Sequence, residues 1–143
     1  MNKQKLIEIS NELRKDIIET IYGAGSGHPG GSLSVIDIIT YLYFEKMNVD
    51  PKNPKMENRD IFILSKGHAA PAQYVTLAKK GFFDKSELKN LRKLGSILQG
   101  HPDAKKCPGI EISTGSLGQG FSNACGIALG NKIDNKDNKV RSE

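Results

Sequence analysis

Asp60-Ile-Phe-Ile-Leu-Ser65, followed at once by Lys66-Gly67-His68, decides how the rest of the chain is read. Its apolar residues run without polar alternation, the mark of a short strand covered on both faces. A glycine turn comes next, and then a helical pattern from about Ala69 to Lys80. Strand, tight turn and helix make the repeating unit of α/β proteins, whose ligands collect outside the carboxyl ends of the strands. His68 therefore falls where such a fold builds a site.

Upstream, Leu6, Ile9, Leu13, Ile17 and Ile21 recur at three- and four-residue steps between charged residues, predicting an amphipathic helix that stops near Tyr22. A second helix is expected from Ser34 to Met47, with Ser34 as N-cap and Asp37 three residues on. Its scarcity of polar residues predicts burial on most sides. Asp50 to Pro54 is a turn-rich loop. Downstream, Asp84 or Ser86 is expected to cap a helix through Leu94, and Ile97-Leu98-Gln99 is too short to assign. Phe121 to Gly130, rich in Ala and Gly, predicts a closely packed helix, and Asn135 to Val140 a polar turn opening a strand. Only one strand is assigned outright. The fold class is α/β, an incomplete and helix-rich N-terminal part of a doubly wound parallel sheet, with residues 1–143 as one partial domain.

Composition narrows the function. The chain has 143 residues, 37% hydrophobic and 26% charged, as expected of a soluble globular domain. A net charge of +5 could attract nucleic acid, but the lysines are scattered, often beside Asp or Glu, with no interleaved aromatic stripe. A solvated lysine-rich surface that mildly attracts phosphorylated small molecules is the better reading. Cys107 and Cys125 form no Cys-x-x-Cys pair and have no His at zinc-ligand spacing, so both read as reduced thiols. The N-terminus lacks a signal-peptide core and no run is long enough to span a bilayer, predicting a cytoplasmic protein with neither nucleic-acid nor membrane partners.

The three histidines carry the functional signal. Each follows directly on a glycine: Gly27-His28 inside Gly25-Ser-Gly-His-Pro-Gly-Gly31, Gly67-His68, and Gly100-His101-Pro102. A lone histidine is usually structural, but glycine-rich turns can aim an imidazole, and imidazoles donate to hydroxyls and move protons near neutral pH. Gly25-x-Gly27-x-x-Gly30 spells the dinucleotide fingerprint, yet it follows a helix rather than a strand and is set aside. Ser113-Thr-Gly-Ser-Leu-Gly-Gln-Gly120 leads into a helix and offers backbone N–H groups for a diphosphate, without the Gly-Lys-Ser/Thr of a P-loop. Together these loops suit a polyhydroxylated, phosphorylated ligand. No nucleophilic triad can be assigned from spacing.

In this order, the His28 loop, Ser65-Lys-Gly-His-Ala69, Gly100-His-Pro102 and Ser113–Gly120 resemble the N-terminal thiamine-diphosphate-binding region of transketolases, over nearly the whole chain. Ser116, where longer relatives commonly carry Pro, is similar to the separate-subunit type. The resemblance implies a transferase passing a two-carbon ketol unit from a ketose phosphate to an aldose phosphate in the pentose phosphate pathway. It implies His28 and His101 as catalytic residues at the reactive carbon. His68, Gly115, Ser116 and Leu117 would bind thiamine diphosphate, with His68 on the diphosphate and Leu117 under the thiamine. Sugar phosphates and a C-terminal transketolase subunit or domain are the implied partners, in a homo- or hetero-oligomer.

The family's Gly-Asp-Gly motif and downstream Asn, which hold Mg2+ on the diphosphate, would begin just after Val140 and are not in the sequence; no residue here is assigned to a metal. Asp103 stands where Glu is usual. The expectation is a truncated transketolase segment, inactive as this chain alone. Two alternatives stand beside it: a non-catalytic remnant or interaction fragment, and a segment of the deoxyxylulose-phosphate synthase type.

Overall fold

The computed structural model describes all residues, Met1–Glu143. Helix α1 spans Lys3–Ala24: the Asn2 side chain accepts from Lys5 N–H, and Gly25, in the left-handed conformation (φ 65°), closes its end. The predicted stripe of Ile9, Leu13, Ile17 and Ile21 is its buried face.

Helix α2 spans Pro29–Tyr41 and starts five residues before the expected Ser34, with His28 at the cap position. Proline at the first helical position has its φ preset and lacks only an N–H that would go unpaired there, so Pro29 opens the helix ahead of the expected Ser34. Ser34 instead lies one turn inside, its hydroxyl donating to Gly31 O at 3.0 Å. Past Tyr41 the chain continues through a wider π-type turn, Leu42–Lys46, closed by Met47 N–H on Leu42 O at 2.7 Å. The expectation of burial on most sides fits α2 only in part, since Ile38 and Tyr41 are 47% and 42% exposed. The central helix is α3, Ala70–Lys80, buried continuously from Ala70 to Ala78 and packed against α1 and α2.

Strand β1 is Ile61–Ile63, and it pairs in parallel with β2, Val140–Ser142, in the register Ile61↔Val140. The strand expected to open at Val140 is thus present. Successive residues of β1 face opposite sides. Phe62 and Leu64 enter the core shared with α1, α2 and α3, while Ile61 and Ile63 meet Ala124 of α4, Gln119–Ile133. Helices on both faces of a parallel sheet give the α/β class read from the sequence. Asp60 pins the register: Oδ1 accepts from Lys139 N–H at 2.9 Å, and Oδ2 from Asn48 N–H at 3.2 Å and Arg141 Nη1 at 2.9 Å. The helix expected through Leu94 is a correction. Only a 3-10 segment, Lys85–Asn90, forms, with Asp84 accepting from Ser86 N–H at 2.7 Å. No helix is long and apolar enough to cross a membrane.

Candidate functional site

His68 sits in a single 3-10 turn, Gly67–Ala69, between the carboxyl end of β1 and the start of α3. Its half-buried ring meets His28 edge to face, with centroids 5.2 Å apart and planes at 68°. His28 caps α2 without a side-chain hydrogen bond to the helix, which leaves its exposed imidazole free to face a ligand. Gly31 makes the approach possible, because a Cβ there would lie 3.2 Å from His68 Nε2. Below the rings, Ser32 Oγ donates to Ala69 O at 3.4 Å and holds α2 on the His68 turn.

The Ser113–Gly120 loop reaches the same strand end through very close backbone contacts. A Cβ on Gly67 would come within 2.9 Å of the Thr114 carbonyl, and one on Gly120 within 2.6 Å of Ser65 Cα. Thr114 Oγ1 donates to Leu64 O at 2.7 Å, and Phe121 N–H donates to Ser65 Oγ at 3.0 Å. These hydroxyls and glycines fix where α4 starts. Gly118, the cap, adopts φ 87°. Between Gly115 and Gly118 the backbone N–H groups donate to no other group of the chain. They remain available at the positive end of a helix, the usual setting for an anion.

His101 is exposed, with its ring against Gly115, where a Cβ would stand 3.8 Å from Cγ and Cδ2. Its backbone is held from beneath by Tyr74, whose hydroxyl donates to Gln99 O at 2.9 Å and His101 O at 3.0 Å. Burial pushes the Tyr74 phenol far above its ordinary value, so it stays a protonated donor. Thr114 N–H donates to Pro102 O at 3.3 Å, joining the two loops directly.

Of the residues named from sequence, the structure brings His28 and His68 into ring contact and sets His101 against Gly115. Ser116 and Leu117 follow on the exposed turn before α4, with Leu117 72% exposed. Tyr74 and Arg92 carry no such signal in the sequence, and the motifs that contain Ser65 and Thr114 do not reveal the tethers these two make. Their contacts join segments far apart in the chain, and no local spacing marks them. A groove of about 510 Å3 lies away from the histidines, between α1 and the Lys85–Asn90 turn, and is lined by Asp16, Glu19, Thr20, Lys85 and Lys89. The histidines instead occupy an open surface. No group of three His, Cys, Asp or Glu side chains is gathered to hold a metal ion.

Residues 3–141 match the family model described as "Transketolase, thiamine diphosphate binding domain". The chain belongs to the transketolase thiamine diphosphate binding domain family. Within that family it is 46% identical over 131 residues to an apulose-4-phosphate transketolase subunit from Phocaeicola vulgatus, covering 92% of this chain and 46% of that protein. Against human transketolase it is 43% identical over 133 residues, covering 93% and 21%. Among solved structures, transketolase from Campylobacter jejuni superposes with a TM-score of 0.91 at 38% identity, over 99% of this chain and 23% of that one. This transketolase-family chain therefore spans about half the length of its subunit-type relative and about a fifth of the full-length one.

Proposed function

We propose that this chain supplies part of the diphosphate-binding domain of a transketolase, a ketol transferase acting on sugar phosphates. The observation that carries the reading is the meeting of His28, His68 and the free N–H groups of Gly115–Gly118 at one strand end, in a chain matched to this family over residues 3–141.

The residues present fit thiamine diphosphate. Unpaired N–H groups at a helix start suit its phosphates, and the hollow left by Gly31 beside His68 Nε2 would be filled by any side chain. When bound, the cofactor supplies the nucleophilic carbon and electron sink for cleaving and passing on a two-carbon unit. His68, on its rigid turn, donates to a diphosphate oxygen. The imidazoles of His28 and His101, exposed and uncommitted, hydrogen-bond sugar hydroxyls and exchange a proton with them at a ring nitrogen. Ser116 and Leu117 line the cofactor, Leu117 presenting apolar surface to its thiamine. The donor set does not fit Mg2+, since no three His, Cys, Asp or Glu side chains converge. On this reading the metal ligands, the activating partner domain and any oligomeric contact belong to those parts of the relatives that this chain does not match.

It follows that the 143 residues alone bind thiamine diphosphate weakly and turn nothing over. Calorimetry that found tight, magnesium-dependent binding would refute that. The reading as a whole is tested in a chimera with residues 3–141 in place of the matching stretch of the Campylobacter enzyme. Ketol transfer should persist, and His28→Ala or His101→Ala should each lower kcat/KM about 100-fold. A folded chimera that binds thiamine diphosphate and transfers nothing would overturn it.

A further inference from the structure

Arg92 adopts φ 65°, a left-handed conformation uncommon outside glycine and kept only where the surroundings enforce it. Here the enforcement comes from both ends of the residue. Its backbone N–H donates to Leu98 O at 2.8 Å, folding the 92–98 segment back on itself between the buried side chains of Leu91 and Leu98. Its guanidinium then lies across Gly100, where a Cβ would stand 3.2 Å from Nε, and Nη1 donates to Ser26 Oγ at 2.9 Å. Ser26 precedes His28 by two residues and Gly100 precedes His101 by one. Ser26 Oγ has no other hydrogen-bond partner in the chain.

The geometry points to Arg92 as a positioning residue that clasps the His28 and His101 loops at a fixed separation. It uses the planar fork of arginine: one face lies on a glycine and one edge holds a hydroxyl, a geometry that a lysine cannot reproduce. A side chain at position 100 would crowd the guanidinium, which would have to give by a few tenths of an ångström. The strained backbone aims the side chain at both loops at once. For catalysis this rests on the transketolase reading above, since the two histidines must meet the same sugar. The clasp itself can be tested without turnover.

The test compares 15N-labelled wild type with Arg92→Gly, Arg92→Lys and Ser26→Ala. Melting temperature and backbone and imidazole NMR order parameters are the readouts. Glycine accepts φ 65° freely, so Arg92→Gly should melt at or above the wild-type temperature. Even so, order parameters at Ser26–His28 and Gly100–His101 should fall from about 0.85 to below about 0.6, while those of His68 on its buried turn hold. Arg92→Lys keeps the charge and should fail to rescue the order. Ser26→Ala should loosen the His28 side alone. Wild-type order at both loops in Arg92→Gly overturns the clasp, as does full rescue by lysine. Should Arg92→Gly not fold, unchanged order in Ser26→Ala overturns it. Loosened loops together with an inert but folded chimera would instead count against the transketolase reading and leave the clasp standing.

Discussion

On one face of β1, Phe62 and Leu64 join a cluster of 23 buried residues shared with α1, α2 and α3; on the other, Ile61 and Ile63 meet Ala124 alone among buried residues. The first face is a finished core. The second is a thin layer, and α4 above it leaves Phe121, Leu129 and Ile133 between 59% and 70% exposed. The histidine loops are rooted mainly in the first region through Ser32, Tyr74 and the Gly67–Ala69 turn. The Gly115–Gly118 loop belongs to the second and is tied down at its ends by Thr114 and Gly120. On the function proposed above, the imidazoles stand on a rigid base that fixes their directions, whereas the backbone cradle for phosphate needs only its two ends held. Local stability should differ accordingly across the sheet.

The sharpest test of that contrast removes comparable apolar groups from each side. Leu13→Ala, in the finished core, should cost about 2–5 kcal/mol in chemical denaturation, while Leu129→Ala on the open face of α4 should stay within about 0.5 kcal/mol. Equal losses would mean that α4 is packed as firmly as α1. Next comes the tether itself. Gly120→Ala forces a Cβ to within 2.6 Å of Ser65 Cα and should cost about 1–3 kcal/mol. Hydrogen exchange should then speed up along α4 and β2 before it does along α1 or α3.

The smallest effect uses the two thiols, one in each region. Cys107 is buried, and burial pushes its thiol up to about 12, with Asp103 adding to the rise; Cys125 is exposed on α4. Ellman's reagent at pH 8 should label Cys125 in the native protein and reach Cys107 only on unfolding. The folded thiol holds its proton more tightly than the unfolded one. Its contribution is therefore complete below the ordinary thiol value and declines as pH rises from there toward about 12. Cys107→Ala should flatten that alkaline decline.

Much of this division is legible in the sequence. The unbroken apolar run at Ile61–Leu64 announces a strand covered on both sides, and the stripe from Leu6 to Ile21 announces α1. The start of α2 departs from its expected place because glycine and proline argue against helix interiors, whereas Pro29 occupies the one helical position where proline is favoured. The expected helix through Leu94 does not form: the 3-10 turns stop at Asn90, Leu91 is already extended (ψ 126°), and Arg92 then turns left-handed. For the site, three glycine-preceded histidines are enough to mark the loops. Tyr74 and Arg92 are invisible, and the tethers that Ser65 and Thr114 make go unread inside their motifs, since each acts across a separation that no short window spans, 66 residues for Arg92 and Ser26.

Asp60 has a consequence for biogenesis. It joins β1 to Lys139 and Arg141 across 79 and 81 residues, so the parallel pair cannot close until nearly all of this sequence has left the ribosome. Until then β1 is a bare hydrophobic edge beside an otherwise foldable three-helix core, and such edges recruit strands from other chains. A nascent chain stalled short of residue 140 should depend on chaperones in a way that one carrying β2 does not.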